Sequence, residues 1–554
     1  MFNINMSKLI VNNLGCGFIN TEDKTIFIPR KKLNGAMNGD IVEYQIVDEE
    51  TNVASVSNIL EKVPDYGFVS HTYQDSYVVK TDRKQYYFKI DTNDLNINDF
   101  LKIHNDHIVV NYGNKDSFLN KIKYIKDKYN INSLEFEKDD MTPVQVSDFD
   151  VLEDDPTRID LTELYTFTID PTSSKDFDDA ISIDFKENVY TLGIHIADVT
   201  HYIKKDSELD KHAQMKMNTV YLNGDTTHML PTVLSNNLCS LVPNQDRNAV
   251  TVMTKFDVRG KLLEYQIYRS KINSKRRYTY EEVRQQIKGN TEMDTHIKNL
   301  YSFIVAKFPK VLEYFSLPIL DIKLDDSKTP VEIELEDYDM SHIMIEKCMI
   351  LANEIVAEDL ANKGIKFPYR CHPSPSSDQE EKYQNLKALS HNPMYQEIIK
   401  IKSYKNAYYS PDNISHFGLT SSKYCHFTSP IRRYIDIVVH RILLGEASYT
   451  DEELENICNK SNELEGNAFK AEMELLEMQK DYLIQISSRE KEPVIVMDVT
   501  KFGVSVELTN YLTERRIHIS NLDKDRLEYD SDNKTLYNSN ITYKIGDIID
   551  LKIN

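Results

Sequence analysis

The sequence predicts a multidomain α+β protein with small β-barrels towards both ends and a large α+β domain between them. Short alternating strands separated by turn residues occur before residue 112 and again after residue 493, which is typical of small barrels. Between these regions, strand patterns are followed by apolar residues at helical spacing. With 554 residues, the chain is long enough for several domains and a large buried core.

The first β region covers residues 1–62 and has predicted strands at residues 15–19 and 25–29. Each strand has one aromatic residue, Phe18 or Phe27, and basic residues follow the second strand. Small barrels use aromatic rings beside basic side chains to stack single-stranded bases. Ordinary core packing explains either ring equally well when that ring is considered alone.

Residues 63–112 repeat this pattern more weakly, and residues 113–160 are predicted to connect it to the central domain. A helix is predicted at residues 119–129 within the connector. Residues 139–155 are strongly acidic, which is best explained as a solvated charge run.

Four aspartates lie within ten residues, on a predicted loop between alternating segments at residues 164–169 and 180–183. They are Asp170, Asp176, Asp178 and Asp179. So many like charges are unfavourable unless protons are retained or a cation neutralises them, and oxygen ligands suit Mg²⁺ or Mn²⁺. A calcium EF-hand is excluded, because its sixth and twelfth positions would be Lys175 and Ile181. A solvated acidic loop is the alternative.

The rest of the central domain and the C-terminal region give further element predictions. A strand at residues 189–199 should pair with residues 181–185. Residues 451–484 have apolar residues at helical spacing, which predict a pair of amphipathic helices with these residues in the core. These residues are Leu454, Ile457, Leu464, Phe469, Met473 and Leu476. The last strands are predicted at residues 494–497, 501–508, 517–522 and 543–547.

The composition limits the class of protein. The net charge of −22 argues against non-specific coating of nucleic acid, so a nucleic-acid partner would require positive charge concentrated in a groove. The six cysteines are scattered without a CxxC pair, which favours reduced thiols of a cytoplasmic protein over a zinc site. We find no secretory signal and no apolar run of transmembrane length, so no membrane partner is expected.

Six short motifs follow one another along the chain. They are ID at residues 169–170, DFDDA at 176–180, HIADV at 195–199, RYTYEEV at 277–283, YRCH at 369–372 and HFTSPIRRY at 426–434. In this order they resemble the ribonuclease II/ribonuclease R family, although SPIRRY alone would be a weak signal. The family has a second acid directly after the position of Glu346, where this chain has Lys347. Of the family's two adjacent acids, only the one at Glu346 is therefore matched in this chain.

The resemblance implies a domain order and an activity. The implied domains are two cold-shock-type OB-fold domains at residues 1–62 and 63–112, a connector at 113–160, an RNB catalytic domain at 161–488 and a ribosomal S1-type OB-fold domain at 489–554. The implied activity is processive hydrolysis of single-stranded RNA from the 3′ end to nucleoside 5′-monophosphates, by a monomer. Two alternatives are a non-catalytic RNA-binding protein that retains the fold and a metal-dependent nuclease acting on DNA.

The resemblance also implies roles for individual residues. Asp170, Asp176, Asp178 and Asp179 are implied in catalysis and in binding two Mg²⁺ or Mn²⁺ ions, which act about 4 Å apart in such sites. Arg432 is the candidate to bind the scissile phosphate, because a planar guanidinium matches phosphate oxygens; a structural ion pair is its alternative. The residues implied to bind RNA are Tyr221, Tyr280, Glu346, Arg433, Phe18 and Phe27. Candidates for contacts to the RNA backbone are Lys271, Lys275, Arg276 and Arg277.

Overall fold

The computed structural model describes residues 5–12, 15–21, 24–48, 51–90, 94–131, 156–313, 315–523, 526–531 and 533–552. The chain divides into two compact units, the first formed chiefly by residues 1–130 and the second by residues 131–324 and 330–554. In the described ranges, no helix is both long enough and apolar enough to span a membrane. The acidic stretch predicted at residues 139–155 lies outside the described residues.

The first unit begins with a six-stranded sheet. Its strands are β1 Asn5–Lys8, β2 Ile10–Val11, β3 Gly17–Asn20, β4 Thr25–Ile28, β5 Ile41–Asp48 and β6 Val53–Glu61, in the spatial order β1–β5–β6–β4–β3–β2. Phe18 and Phe27 lie opposite each other on β3 and β4, with ring centroids 5.4 Å apart. Both rings are half-buried, and the core around Ile19, Ile26 and Ile28 is built without them.

A second sheet and a helix complete the first unit. The elements are β7 Asp65–Tyr73, β8 Ser76–Thr81, β9 Gln85–Lys89, β10 Asp99–His104, β11 His107–Asn114 and α1 Phe118–Lys128, with the strands in the order β11–β10–β7–β8–β9. The helix predicted at residues 119–129 is therefore present as α1. It packs on this sheet, because the Tyr124 ring stacks on Phe100 with centroids 4.2 Å apart.

A closed barrel forms the centre of the second unit. The strands of this region are β12 Ile159–Asp170, β13 Asp179–Lys186, β14 Val189–Ala197, β15 Val220–Leu222, β16 Asp225–Thr227, β17 Asp246–Asp257, β18 Leu262–Thr279, β19 Ile319–Leu324, β20 Pro330–Glu336, β21 Tyr369–Cys371 and β22 Tyr408–Ser410. Strands β12, β13, β14, β17 and β18 close the barrel, and β12 and β18 are its parallel pair. The other strands form the two-stranded antiparallel sheets β15–β16, β19–β20 and β21–β22.

The predicted pairing of residues 181–185 with residues 189–199 is confirmed, with Ile181 opposite Ile194. The turn between β13 and β14 uses Glu187 and Asn188, both with positive φ, at 52° and 61°. Two successive residues with positive φ match the twist of the flanking strands, which is why such turns join antiparallel pairs.

Between β14 and residue 491, the described residues form eight α-helices. They are α2 Glu208–Lys216, α3 Tyr280–Ile287, α4 Thr295–Lys307, α5 Met340–Asn362, α6 Ser377–Lys387, α7 Pro393–Ser403, α8 Tyr434–Leu443 and α9 Asp451–Ile486. The barrel, α4, α5 and α8 share one large hydrophobic core. This core fixes the ends of β12 and β13, between which the acidic loop lies.

The prediction of a helix pair at residues 451–484 is wrong, because α9 is one continuous helix of 36 residues. Its only capping box is at its start, where Thr450 and Glu453 satisfy each other's backbone. No proline interrupts the helix, and the single Gly466 costs too little to break it. Core packing is also wrong for Phe469 and Met473, which lie on the exposed side of the helix.

The C-terminal region folds into two small sheets around one core. The strands are β23 Glu492–Thr500, β24 Gly503–Leu508, β25 Thr513–His518, β26 Glu528–Asp530, β27 Thr535–Tyr537, β28 Thr542–Lys544 and β29 Ile548–Leu551, in the orders β25–β24–β23–β29 and β26–β27–β28. Val494, Val506, Leu536 and Tyr543 are buried together in this core. The predicted strands are present, although residues 519–521 form a 3₁₀ turn instead of continuing β25.

Candidate active site

The acidic loop lies between two barrel strands, as predicted. Asp170 is the last residue of β12 and Asp179 is the first residue of β13. The second half of the loop is held by the buried Ser240, whose Oγ donates to the carbonyl of Lys175 and accepts from the amide of Phe177. The barrel therefore fixes both ends of the segment on which the four aspartates lie.

The predicted site residues of the second unit meet around one cavity of about 460 Å³. Its lining includes Asp170, Asp176, Asp178, Asp179, Tyr221, Tyr280, Glu346, Arg432 and Arg433. Phe18 and Phe27 belong to the first unit, where they form a ring pair of their own. Segments separated by up to 263 positions along the sequence thus contribute to one site.

Asp178 joins the acidic loop to the SPIRRY segment. Its Oδ1 accepts the Ile431 amide at 2.9 Å, and its Oδ2 lies 3.5 Å from Nε of Arg432. The carboxylate is 6% exposed, whereas the Arg432 side chain is 44% exposed. Arg432 also donates to Oγ of Ser429 at 2.9 Å. The guanidinium is therefore positioned by Asp178 and Ser429 but remains accessible from the cavity.

Three of the four carboxyl groups have pKa values above the usual range. Burial raises the pKa of Asp178 to about 7, against the opposing charge of Arg432. Burial also raises the pKa of Asp170 to about 6, although Arg277 opposes that shift. For Asp179, burial and the neighbouring charges of Asp170 and Asp178 raise the pKa well above the usual range. Burial and the proximity of like charges therefore disfavour the ionised forms of these three carboxyl groups.

This cavity has the donor chemistry of a divalent-cation site. All four aspartates offer carboxylate oxygens, which suit a hard cation, and Oδ2 of Asp170 is buried without a hydrogen-bond partner among the described residues. In the described part of the chain, however, no group of three or more His, Cys, Asp or Glu side chains is arranged to hold a metal ion. The oxygen-only donor set fits a hard divalent cation.

The two predicted tyrosines approach the cavity from different elements. Tyr221, on β15, is 41% exposed and donates its hydroxyl to Oδ2 of Asp176 at 2.6 Å. Burial and Asp176 raise the pKa of Tyr221, so the phenol stays protonated as this donor. Tyr280 begins α3 and stacks on His342 with ring centroids 3.9 Å apart. The Tyr221 ring lies outside the hydrophobic core, whereas Tyr280 is partly buried and packs against it.

Glu346 lies on the cavity-facing side of α5 and has two partners. Tyr338 donates its hydroxyl to one carboxylate oxygen at 2.7 Å, and Lys347 donates Nζ to the other at 2.7 Å. The Tyr338 ring also stacks on His342, which stacks on Tyr280. The lysine at the position of the family's second acid therefore forms an ion pair with the acid that is retained.

Arg433 differs from Arg432 in its partners. Its Nε and Nη2 donate to the two carboxylate oxygens of the buried Asp436, at 2.9 and 2.8 Å. Asp436 also accepts the Ser429 amide at 2.7 Å. Such a bidentate pair gives the SPIRRY segment a fixed shape. The two consecutive arginines therefore have different surroundings, which the sequence does not distinguish.

The cavity is also lined by residues that were not among the predicted site residues, including Asn353, Tyr424 and His426. Asn353 on α5 accepts the Phe427 amide at 2.8 Å and donates to the Tyr424 hydroxyl at 3.1 Å. Burial and three nearby arginines lower the pKa of His426 well below its usual range, so this ring is neutral. His426 is the first residue of the HFTSPIRRY motif, so motif position was the available signal for it.

The HIADV motif has a structural role in this protein. Asp198 is fully buried, 2.6 Å from Nη2 of Arg158 and 3.2 Å from Nε of Arg269. Burial alone would raise the pKa of Asp198, but the two arginines lower it to about 2. Since an unfolded aspartate titrates near ~3.9, this group stabilises the fold above that pH. The stabilisation is lost as pH falls towards 2.

We expect Asp198→Asn to destabilise the protein by about 3–5 kcal/mol at pH 7, because both arginines lose their buried counter-charge. Denaturant unfolding followed by tyrosine fluorescence measures this, since the chain has no tryptophan. Asp184→Asn is the matched control, because Asp184 is partly exposed on β13. The difference between Asp198→Asn and wild type should shrink at lower pH. Equal unfolding midpoints at pH 7 would show that the buried charge network contributes nothing.

The fold and the cavity define a multidomain α+β protein, with small β domains before and after a central barrel domain that contains an acidic centre. The chain belongs to the RNB family: the family model for the RNB domain matches residues 158–446, and the model for the Ribonuclease B OB domain matches residues 7–57. The predicted family resemblance and fold class are thereby confirmed.

Named relatives agree with this assignment. Ribonuclease R of Chlamydia pneumoniae is 36% identical over 405 residues, which are 67% of this chain and 60% of that protein. Ribonuclease R of Mycoplasma genitalium is 29% identical, over 99% of this chain and 86% of that protein. The solved structure of Mycoplasma genitalium RNase R in complex with ribose methylated single-stranded RNA superimposes with a TM-score of 0.81. It is 26% identical and covers 99% of this chain and 98% of that chain.

Proposed function

We propose that this protein is a hydrolytic exoribonuclease that processively shortens single-stranded RNA from its 3′ end and releases nucleoside 5′-monophosphates. The observation that carries the proposal is the single cavity around which four aspartates, an exposed arginine and two tyrosines are grouped. Cleaving a phosphodiester requires a nucleophile derived from water, neutralisation of the phosphate and stabilisation of the leaving oxygen. Relatives named Ribonuclease R support the same activity.

The four aspartates are proposed to hold divalent cations, Mg²⁺ or Mn²⁺, with two ions per site. Support comes from the oxygen-only donor set and from the raised pKa values of Asp170, Asp178 and Asp179, because burial disfavours their ionised forms unless a cation neutralises them. When bound, such ions neutralise phosphate charge and lower the pKa of water enough to supply hydroxide at neutral pH. Asp178 is also proposed to orient Arg432, because its Oδ2 lies 3.5 Å from Nε of that arginine.

Arg432 is proposed to bind the scissile phosphate. Its guanidinium is exposed to the cavity, and Asp178 and Ser429 fix its orientation from behind. A planar fork with several N–H donors can bind two phosphate oxygens at once. Arg433 is instead proposed to order the segment around it, because its Nε and Nη2 both donate to Asp436.

The RNA end is proposed to bind between Tyr221 and the group formed by Tyr280 and Glu346. The exposed Tyr221 ring offers a surface on which the 3′-terminal base can stack. Tyr280 and Glu346 line the same cavity and provide polar groups for a ribose or phosphate. Contacts to ribose 2′-hydroxyls are what distinguish RNA from DNA at such a site. In the first unit, Phe18 and Phe27 are proposed to stack further bases.

The proposal is tested with single-stranded RNA and DNA of one sequence, each labelled at its 5′ end and incubated with Mg²⁺. We expect the RNA band to shorten progressively and the DNA to persist. Degradation of both strands would indicate a nuclease without ribose selectivity. Binding of RNA without shortening would indicate a non-catalytic RNA-binding protein.

A further inference from the structure

Arg277 contacts the acidic loop at the point where the loop leaves the barrel. It lies on β18 and pairs with Thr168 of β12. Its Nη2 donates to the backbone carbonyls of Pro171 and Thr172, at 2.6 and 2.8 Å. These two residues directly follow Asp170. One guanidinium nitrogen therefore holds the first turn of the loop.

The same guanidinium also contacts the other end of the loop. Its Cζ lies 5.0 Å from the centre of the Phe177 ring, close enough for a cation–π interaction. Phe177 is buried and lies between Asp176 and Asp178 in the sequence. Ser240 holds residues 175 and 177, whereas Arg277 contacts both the start and the end of the loop.

These contacts engage part of the Arg277 guanidinium within the protein. Nη2 has two carbonyl acceptors, the face of the guanidinium meets Phe177, and Nε is shielded from solvent. The neighbouring Arg276 is different, because it is exposed and its guanidinium lies over the ring of Tyr278. Arg277 is thus partly exposed but less exposed than Arg276, and its Nη2 and one face of its guanidinium are directed at the acidic loop.

We propose that Arg277 is a positioning residue: it holds the loop so that Asp170 and Asp176 face the cavity, and it does not bind RNA itself. The inference rests on the proposed function, in which these aspartates hold divalent cations. Lysine could not replace the arginine fully, because an ammonium on a flexible stem lacks the planar face and rigid donor arrangement. Groups that orient metal ligands commonly affect metal affinity when they are removed.

The test compares Arg277→Met and Arg276→Met in the full chain, with Mn²⁺ as the probe. The Mn²⁺ half-saturation concentration is read from the free-ion EPR signal, without RNA. We expect Arg277→Met to raise it at least ~10-fold, the effect of losing an outer-shell partner, and Arg276→Met to leave it within about twofold. Hydrogen exchange at residues 171–177 should become faster only in Arg277→Met. RNA affinity in EDTA should stay within about twofold of wild type in Arg277→Met.

Other outcomes overturn the inference. If Arg277→Met binds Mn²⁺ like Arg276→Met, Arg277 does not position the loop. If RNA affinity in EDTA falls and its salt dependence loses about one unit of slope, Arg277 binds a phosphate. If Arg277→Met does not fold, Arg277→Lys must still bind Mn²⁺ at least ~3-fold more weakly than Arg276→Met. The Mn²⁺ measurement involves no RNA turnover, so a wild type that binds Mn²⁺ but leaves RNA intact contradicts only the proposed function.

Discussion

Asp178→Asn is expected to lower the single-turnover rate of RNA shortening by at least ~10²-fold, the scale of losing one strong electrostatic contact at a transition state. The asparagine oxygen can still accept the Ile431 amide, but the side chain no longer offers charge to Arg432 or to a cation. Charge neutralisation matters most in the transition state, so the loss should appear in the rate. RNA affinity should stay within about threefold, or ~0.7 kcal/mol, by fluorescence anisotropy.

Two controls separate chemistry from folding in this variant. Burial raises the pKa of Asp178, so the folded state disfavours its ionised form, and a neutral asparagine should not lower the melting temperature. Asp184→Asn makes the same chemical change on β13, where the carboxylate is partly exposed and paired with Lys186, and should leave the rate unchanged. A near wild-type rate in Asp178→Asn would remove Asp178 from the catalytic set. A folded Asp178→Asn variant that neither binds nor cleaves RNA would show that the carboxylate is needed for RNA binding.

Removing divalent cations with excess EDTA is expected to abolish RNA shortening completely, and added Mg²⁺ or Mn²⁺ should restore it. The reason is electrostatic: three carboxyl groups of the cavity have raised pKa values, and a cation that neutralises them reduces their repulsion of a negatively charged phosphate. The cation dependence is measured as the rate of decay of a labelled RNA strand at a series of free Mg²⁺ concentrations.

The effect of EDTA should be on the reaction and not on the fold. The barrel core and the β13–β14 pairing involve no acidic-loop carboxylate, so the circular dichroism spectrum should be the same with and without EDTA. Undiminished shortening of RNA in excess chelator would contradict a cation-dependent mechanism. Loss of the circular dichroism signal in EDTA would instead show that the cation stabilises the fold.

The acidic loop and its flanking strands could be predicted from the sequence, because alternation of apolar residues is local. The β13–β14 pair was predictable for the same reason. Strands β17 and β18 were not predicted, and β18 shows why: polar and charged residues interrupt its alternation, from Glu264 to Lys275. Its pairing on both edges within a closed barrel supplies the hydrogen bonds that make it a strand.

The residues that contact the acidic loop could not be predicted from the spacing of motifs along the sequence. Ile431 donates to Asp178 across 253 positions of the sequence, and no local pattern reports that contact. The resemblance to a family placed Arg432 and Arg433 near the site but did not distinguish an exposed guanidinium from one paired with Asp436. The charge of Arg277 makes it a candidate for contacts to the RNA backbone, and spacing does not reveal that its Nη2 donates to two loop carbonyls. Charge and motif order indicate the site; the partner of each side chain depends on the fold.

The direction and products of the reaction test the central claim most directly. A single-stranded RNA is labelled at the phosphate between its last two nucleotides, and the same RNA is labelled separately at its 5′ end. With Mg²⁺ and no inorganic phosphate, we expect the terminal label to be released first, as a nucleoside 5′-monophosphate, while the 5′ label stays on a shortening chain. Release of the 5′ label first, or appearance of the terminal label in oligonucleotides, would contradict 3′-to-5′ hydrolysis at this cavity.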